Sequence, residues 1–207
     1  MFAKAEVVQL FPTCVWEYEL SSAADLNREL STAIEDLRAS TTSRSRESGT
    51  WQSVGDLHKR PEFKNFMEVI IAAASGILEY LKIPSEGIIV TNCWVNVNYQ
   101  GYAHHRHTHP NNLLSGVYYV KIPPGSGKIV FEDPRPQAGV LVPAFSEITP
   151  QNSAKHSFEV AEGRLLFFPS WLQHSVEAQA AEEERISIAF NMVPKGRLGS
   201  ESGHMDI

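Results

Sequence analysis

The hydrophobic pattern changes period near Ile88, and that change constrains the fold more than any other feature. Val95, Val97 and Tyr99 alternate there with Trp94, Asn96 and Asn98, the period of a strand with two unlike faces. Further short runs read as strands over 113–122, 127–132, 139–148, 156–160, 164–168, 173–178 and 185–193. Turn residues punctuate them, as in Pro123-Pro124-Gly125-Ser126-Gly127 and Asp133-Pro134-Arg135-Pro136. About eight evenly spaced strands without helical interludes predict a sandwich or barrel, and a double-sheet jelly roll fits that count.

Upstream the period is helical. Val7 to Leu20 reads as an extended strand interrupted at Pro12. Ser21 or Ser22 then offers an N-cap, with Asp25 placed for a capping box if Ser22 is the cap. Leu26, Leu30, Ile34 and Leu37 form one apolar stripe. A second helix begins near Pro61, and its broad face, from Phe63 through Phe66, Ile70, Ala74 and Ile77 to Leu81, should cover a sheet. Pro84 is its expected stop. The Ser-, Thr-, Arg- and Gly-rich stretch 40–59 is long for a connection. Trp51 either pins it to the core or marks a substrate lid. The expected architecture is mainly β with N-terminal helices (α+β), a jelly-roll barrel with the helices packed outside one sheet. We expect one domain over 1–207: a strand and supporting helices to 86, the jelly-roll core over 87–194, and a loose polar tail.

With 207 residues, 43% apolar and 20% charged, the chain can bury a core without staples. A net charge of −6 argues against broad nucleic-acid binding, so no nucleic-acid partner is expected. Cys14 and Cys93 are too isolated for a disulfide framework or a zinc knuckle and read as apolar thiols. No run approaches the ~20 apolar residues of a membrane span, and the start lacks a secretory pattern. A cytoplasmic protein without a membrane partner is the expectation. Exposed sheet edges would allow a homodimer.

The chemistry concentrates in His104-His105-Arg106-His107-Thr108-His109, just before the strand Val117-Tyr118-Tyr119-Val120. Histidines at i and i+2 on an extended strand share a face, so both imidazoles reach one ion. His107/His109 and His105/His107 both satisfy that spacing. The first pair abuts the strand carrying Tyr119, which leaves His105 at the rim and His156 at the surface. His174, sixty-five residues after His109, is the candidate third ligand. Imidazoles suit iron, zinc, copper or nickel. In Arg185 to Phe190, Ile186, Ile188 and Phe190 take one face and Arg185, Ser187 and Ala189 the other. A buried Arg185 would need an anionic partner. The alternative is an exposed arginine paired with Glu182, Glu183 or Glu184.

His107-x-His109, then Val117-Tyr-Tyr-Val120, then Gly163-Arg-Leu-Leu-Phe-Phe-Pro169-Ser-Trp171-Leu-Gln-His174, then Arg185-x-Ser187 together resemble the 2-oxoglutarate- and Fe(II)-dependent oxygenases. The resemblance is nearest a small bacterial and phage group related to the prolyl 4-hydroxylases. It covers roughly 88–193, with weaker likeness over the N-terminal helices. It implies Fe(II), 2-oxoglutarate as cosubstrate and O2, and hydroxylation of a small-molecule or peptide substrate with release of succinate. It implies that His107 and His174 are metal ligands, with His109 where most members carry Asp or Glu. Arg185, eleven residues after His174, matches the base that pairs with the far carboxylate of 2-oxoglutarate, supported by Ser187 and Tyr119. Tyr99, eight residues before His107, matches another pocket tyrosine. Phe168 and Trp171 would wall the site. Asn96, Asn98 and Asn191 would face it or serve as structural amides.

Two rival readings stand beside this one. Gly163, Pro169 and His174 come close to the second motif of the cupins, with Trp171 where glycine is expected. A three-histidine cupin-like metal enzyme would need an acid shortly after His109, and residues 110–114 hold none. A non-catalytic jelly-roll ligand-binding module is the other rival.

Overall fold

Two long antiparallel strands, β3 (Gly87–Asn98) and β10 (Arg185–Lys195), pair along nearly their whole length and form the spine of the larger sheet. A computed structural model describes residues 1–40 and 49–207. The other strands of this sheet are β1 (Trp16–Glu19), β2 (Thr50–Gln52), β5 (Leu114–Lys121) and β8 (Arg164–Pro169), and the order is β1-β8-β5-β10-β3-β2. A second sheet runs β4-β9-β6-β7, from β4 (His104–His107), β6 (Ile129–Glu132), β7 (Lys155–Phe158) and β9 (His174–Val176). All ladder pairings are antiparallel, giving the two-sheet jelly-roll arrangement expected.

The period-two pattern sorts the larger sheet into two faces. Cys93, Val95 and Val97 of β3, Tyr118 and Val120 of β5, Leu165 and Phe167 of β8, and Ile186, Ile188 and Phe190 of β10 lie on the outer face. They pack against α1 (Ala23–Ser40) and α2 (Lys64–Tyr80). Leu30 and Ile34 of α1 and Phe66 and Ile70 of α2 are almost fully buried there. Each such side chain contributes roughly 1.5–3 kcal/mol of transfer free energy. The inner face carries Tyr119, Leu166 and Phe168, which meet Ile129 and Phe131 of β6 in a smaller core between the sheets. Where that inter-sheet core stops, polar inner residues take over.

Several boundaries differ from expectation. The strand expected from Val7 begins only at Trp16, because Phe11 adopts a left-handed φ of 56° and Pro12 has no N–H to donate. Val7, Val8, Leu10 and Phe11 are exposed. Helix α2 stops before Pro84: Lys82 turns left-handed (φ 57°) and the Ile83 N–H donates to the Leu78 carbonyl at 2.9 Å. Residues 139–148 form no strand. A short 3-10 turn occupies Pro136–Gly139, Val140 and Leu141 are exposed, and Pro136 and Pro143 remove ladder donors. The tail is a hairpin, β11 (Arg197–Ser200) with β12 (Gly203–Asp206).

Within the 40–59 stretch, Thr50–Gln52 adds to β3 as an edge strand, and Trp51 is buried. Trp51 therefore pins the segment to the core. The lid reading covers the same 40–59 stretch, of which residues 41–48 lie outside the described residues. Among the described residues no helix is long and apolar enough to cross a membrane.

Candidate metal centre

His107 closes β4 and His174 opens β9, and they are direct cross-strand partners with ring centroids 4.3 Å apart. His109 follows two residues on, its N–H anchored to the Ser170 carbonyl at 2.8 Å. Its ring lies 4.9 Å from His107 and 5.1 Å from His174. One ring nitrogen from each of the three falls within 4.8 Å of the others. Small ring rotations bring three such imidazoles onto one ion. Of the rival pair, the His105 side chain is exposed, and its carbonyl meets the His107 ring.

Hydrogen bonds fix two of the rings. His107 Nδ1 lies 2.7 Å from the His105 carbonyl, and His174 Nδ1 lies 2.9 Å from the Leu172 carbonyl. A carbonyl only accepts, so each Nδ1 carries the proton and each Nε2 keeps its lone pair for a metal. Burial, reinforced by the neighbouring imidazoles, holds His109 down at about 4. Burial outweighs the Leu172 hydrogen bond at His174 and holds it at about 3. Both rings are thus neutral near pH 7, as metal ligands must be. Such a donor set fits a borderline divalent ion, iron included.

Among the described residues no carboxylate joins this cluster. Glu132 is engaged by Arg106 at 2.8 Å and Lys155 at 3.3 Å, and Asp133 by Arg135 at 2.7 Å. Those cations hold both carboxyls below their ordinary range.

The opposite wall belongs to the larger sheet. Arg185 pairs across the ladder with Asn98, and Ser187 with Asn96 on one side and Tyr119 on the other. Arg185 and Ser187 are only 3% and 4% exposed. The Arg185 Cζ sits 5.3 Å from the Tyr119 ring centre. Among the described residues no ion pair involves Arg185: Glu184 is taken by Arg38 at 3.1 Å and Glu183 by Lys121 at 3.6 Å. Arg185 Nε and the Tyr119 hydroxyl have no hydrogen bond of good geometry. Burial lowers the Arg185 pKa and pushes the Tyr119 phenol up to about 12, against the pull of Arg185. A buried cation without an acidic partner, beside a buried hydroxyl, is an arrangement that can receive an anion, and it shares one pocket with the three histidines.

The same pocket is lined by Asn96, Asn98 and Phe168, with Trp94 and His104. Phe168 packs its ring 4.6 Å from His174. Four expected pocket residues are elsewhere. Tyr99 has the parity of Val95 and Val97, so it faces the helices, where its hydroxyl accepts from Arg38 at 3.0 Å. Trp171 is 56% exposed, on the turn between β8 and β9, outside the pocket lining. Asn191 is a satisfied structural amide, bonded to Asn92 at 2.8 Å and to Ser115 at 2.6 Å. His105 turns its ring to solvent.

His104 is the residue that sequence reasoning missed. It pairs with Val176 while His107 pairs with His174, so β4 spends three steps where β9 spends two. That extra residue is a β-bulge. It places His104 on the same face as His107, and the rings stack at 4.6 Å and 22°. Strict alternation would have put them on opposite faces.

Comparison with known proteins agrees with this geometry. Residues 92–191 match the family model described as "Putative 2OG-Fe(II) oxygenase". No match was found among curated proteins. A prolyl-4-hydroxylase from Pseudomonas putida is similar in structure, with a TM-score of 0.63 at 18% identity, over 89% of this chain and 94% of that one. The α-ketoglutarate-dependent epimerase SnoN of nogalamycin biosynthesis gives 0.66 at 15% identity, over 89% and 77%. HygX from Streptomyces hygroscopicus, solved with nickel, 2-oxoglutarate and hygromycin B, gives 0.60 at 12% identity, over 88% and 83%. At these identities the structural likeness speaks to the fold.

Proposed function

We propose that this chain, a member of the 2-oxoglutarate- and Fe(II)-dependent oxygenase superfamily through its residues 92–191, hydroxylates a small-molecule or peptide substrate at a three-histidine metal centre. His107, His109 and His174 would hold Fe(II), and Arg185, Ser187 and Tyr119 the far carboxylate of 2-oxoglutarate. The observation that carries this reading is Arg185: a buried guanidinium without an acidic partner, sharing a pocket with the histidine cluster. The guanidinium fork suits a carboxylate bidentately.

With Fe(II), 2-oxoglutarate and O2 bound, such a centre supplies decarboxylation of 2-oxoglutarate to succinate coupled to hydroxylation of a C–H bond. The chain's own groups bind, orient and exclude water. Ser187 and Tyr119, opposite one another on β10 and β5, offer hydroxyls to the anion that Arg185 attracts. The Leu172 and His105 carbonyls keep two ligand rings in the tautomer a metal needs. Phe168 and Phe131 pack their rings against His174 and shield it from water.

The all-imidazole donor set favours one other reading, a cupin-like metal enzyme that works without 2-oxoglutarate. In that reading Arg185 has no anion to hold. Succinate production separates the two. Aerobic incubation with Fe(II), ascorbate and 2-oxoglutarate, followed by NMR, should show slow succinate formation even without prime substrate, and Arg185→Gln should lose it. Intact 2-oxoglutarate after prolonged incubation, with no binding by calorimetry, would favour the cupin-like enzyme.

A further inference from the structure

We propose that His104 is a specificity-determining residue, and that it binds a carboxylate of the prime substrate beside the metal; this rests on the oxygenase reading above. Three observations lead there. The β4 bulge is what turns the His104 ring into the pocket, stacked on His107. Its ring nitrogens have no hydrogen-bond partner among the described residues, although the residue is half-buried. It also stands outside the group of ligand atoms that can share an ion, which contains His107, His109 and His174 alone.

The charge of the pocket then selects the substrate class. No Asp or Glu is among its lining residues. A divalent ion and Arg185 together bring three positive charges, and 2-oxoglutarate returns two negative ones. A carboxylate ligand would have cancelled the remainder, but His109 stands where it would be. One uncompensated positive charge in a pocket lined partly by Trp94, Val117, Ile129 and Phe168 is costly, and an anionic substrate relieves it. His104 offers an N–H donor next to a ligand ring, so its neutral form suffices to hold a carboxylate oxygen. Asn98 and Asn96, which already share hydrogen bonds with Thr50 and Gln52, add neutral polar surface on the opposite wall. The substrate class is therefore an acidic small molecule or a peptide end bearing a free carboxylate.

The test uses the anaerobic Fe(II)–2-oxoglutarate form of the full chain and a pair of near-isosteric probes, the carboxylate N-acetylglycine and its neutral amide N-acetylglycinamide. The readout is the visible charge-transfer band of bound 2-oxoglutarate. The acid should shift the band and bind about tenfold or more tightly than the amide, the worth of one hydrogen bond to a charged group. His104→Phe, which keeps the stack on His107, should lose most of that preference, and His104→Asn should recover part of it. His109→Asp, which supplies the missing negative charge, should also erase it. Equal response to both probes, displacement of 2-oxoglutarate by the acid, or an unchanged preference in His104→Phe overturns the proposal while the oxygenase reading stands. Absence of the band before any probe is added overturns both.

Discussion

Arg185 stacks its guanidinium against Tyr119, with the Arg185 Cζ 5.3 Å from the ring centre, and neither Arg185 Nε nor the Tyr119 hydroxyl finds a hydrogen-bond partner of good geometry. Burying two polar groups without such a partner costs the ligand-free fold stability. Arg185→Met should therefore raise the stability of the metal-free protein by about 1 kcal/mol or more while removing 2-oxoglutarate affinity. Thermal denaturation in chelator, with and without 2-oxoglutarate, checks both halves. A large loss of stability would mean that Arg185 has a structural partner.

Tyr119→Phe should be milder. Deleting a hydroxyl that has no hydrogen bond of good geometry and only the attraction of Arg185 should leave the stability of the metal-free protein nearly unchanged. The same change should weaken 2-oxoglutarate by about threefold to tenfold, the worth of one ordinary hydrogen bond. Calorimetric titration of the metal-loaded protein measures it.

His174 is the most buried of the three metal candidates, 4% exposed, and it bridges β4 and β6. His174→Ala should lower metal affinity by roughly a hundredfold or more. His109→Asp should act in the opposite sense for Fe(II), since it adds a negative charge to a neutral donor set; a gain of about 1.4 kcal/mol is tenfold. Competition against a chelating dye measures both. Weaker Fe(II) binding in His109→Asp would mean that His109 is not a ligand.

Gly116 of β5 lies directly across the ladder from Phe190 of β10. A Cβ there would strike the Phe190 ring and lie 2.7 Å from the Leu166 carbonyl. Gly116→Ala should cost about 1–3 kcal/mol, because neither the packed ring nor the ladder can yield freely. Urea denaturation would show the midpoint fall.

Cys93 is fully buried on the helix-facing side of β3, and burial pushes its thiol far above the ordinary range. Cys14 is only half-buried. A thiol reagent at pH 8 should modify one cysteine in the native chain and two after unfolding.

Much of this was legible in the amino-acid sequence. Parity along β10 separates Arg185 and Ser187 from Ile186 and Ile188, and that division is the one the fold uses. The i, i+2 spacing of His107 and His109 and the distant His174 converge as their order implied. Parity also held the answer for Tyr99, which shares the odd numbering of the helix-facing Val95 and Val97. What sequence could not give was the bulge: one extra residue between His104 and His107 reverses a face, and nothing in His104-His105-Arg106-His107 announces it. The run 139–148 misled because apolar side chains suggest a strand, whereas a strand also needs donors, and Pro143 removes one in its middle. The tail hairpin was hidden by its polarity, since its side chains are mostly exposed and its pairing is carried by backbone hydrogen bonds.

Anaerobic titration of 2-oxoglutarate into the Fe(II)-loaded protein tests the central claim most directly. The account predicts a weak visible charge-transfer band that saturates with one equivalent of 2-oxoglutarate, and a much lower apparent affinity in Arg185→Met. No band in wild-type protein that demonstrably holds Fe(II), or a band indifferent to Arg185, would contradict it.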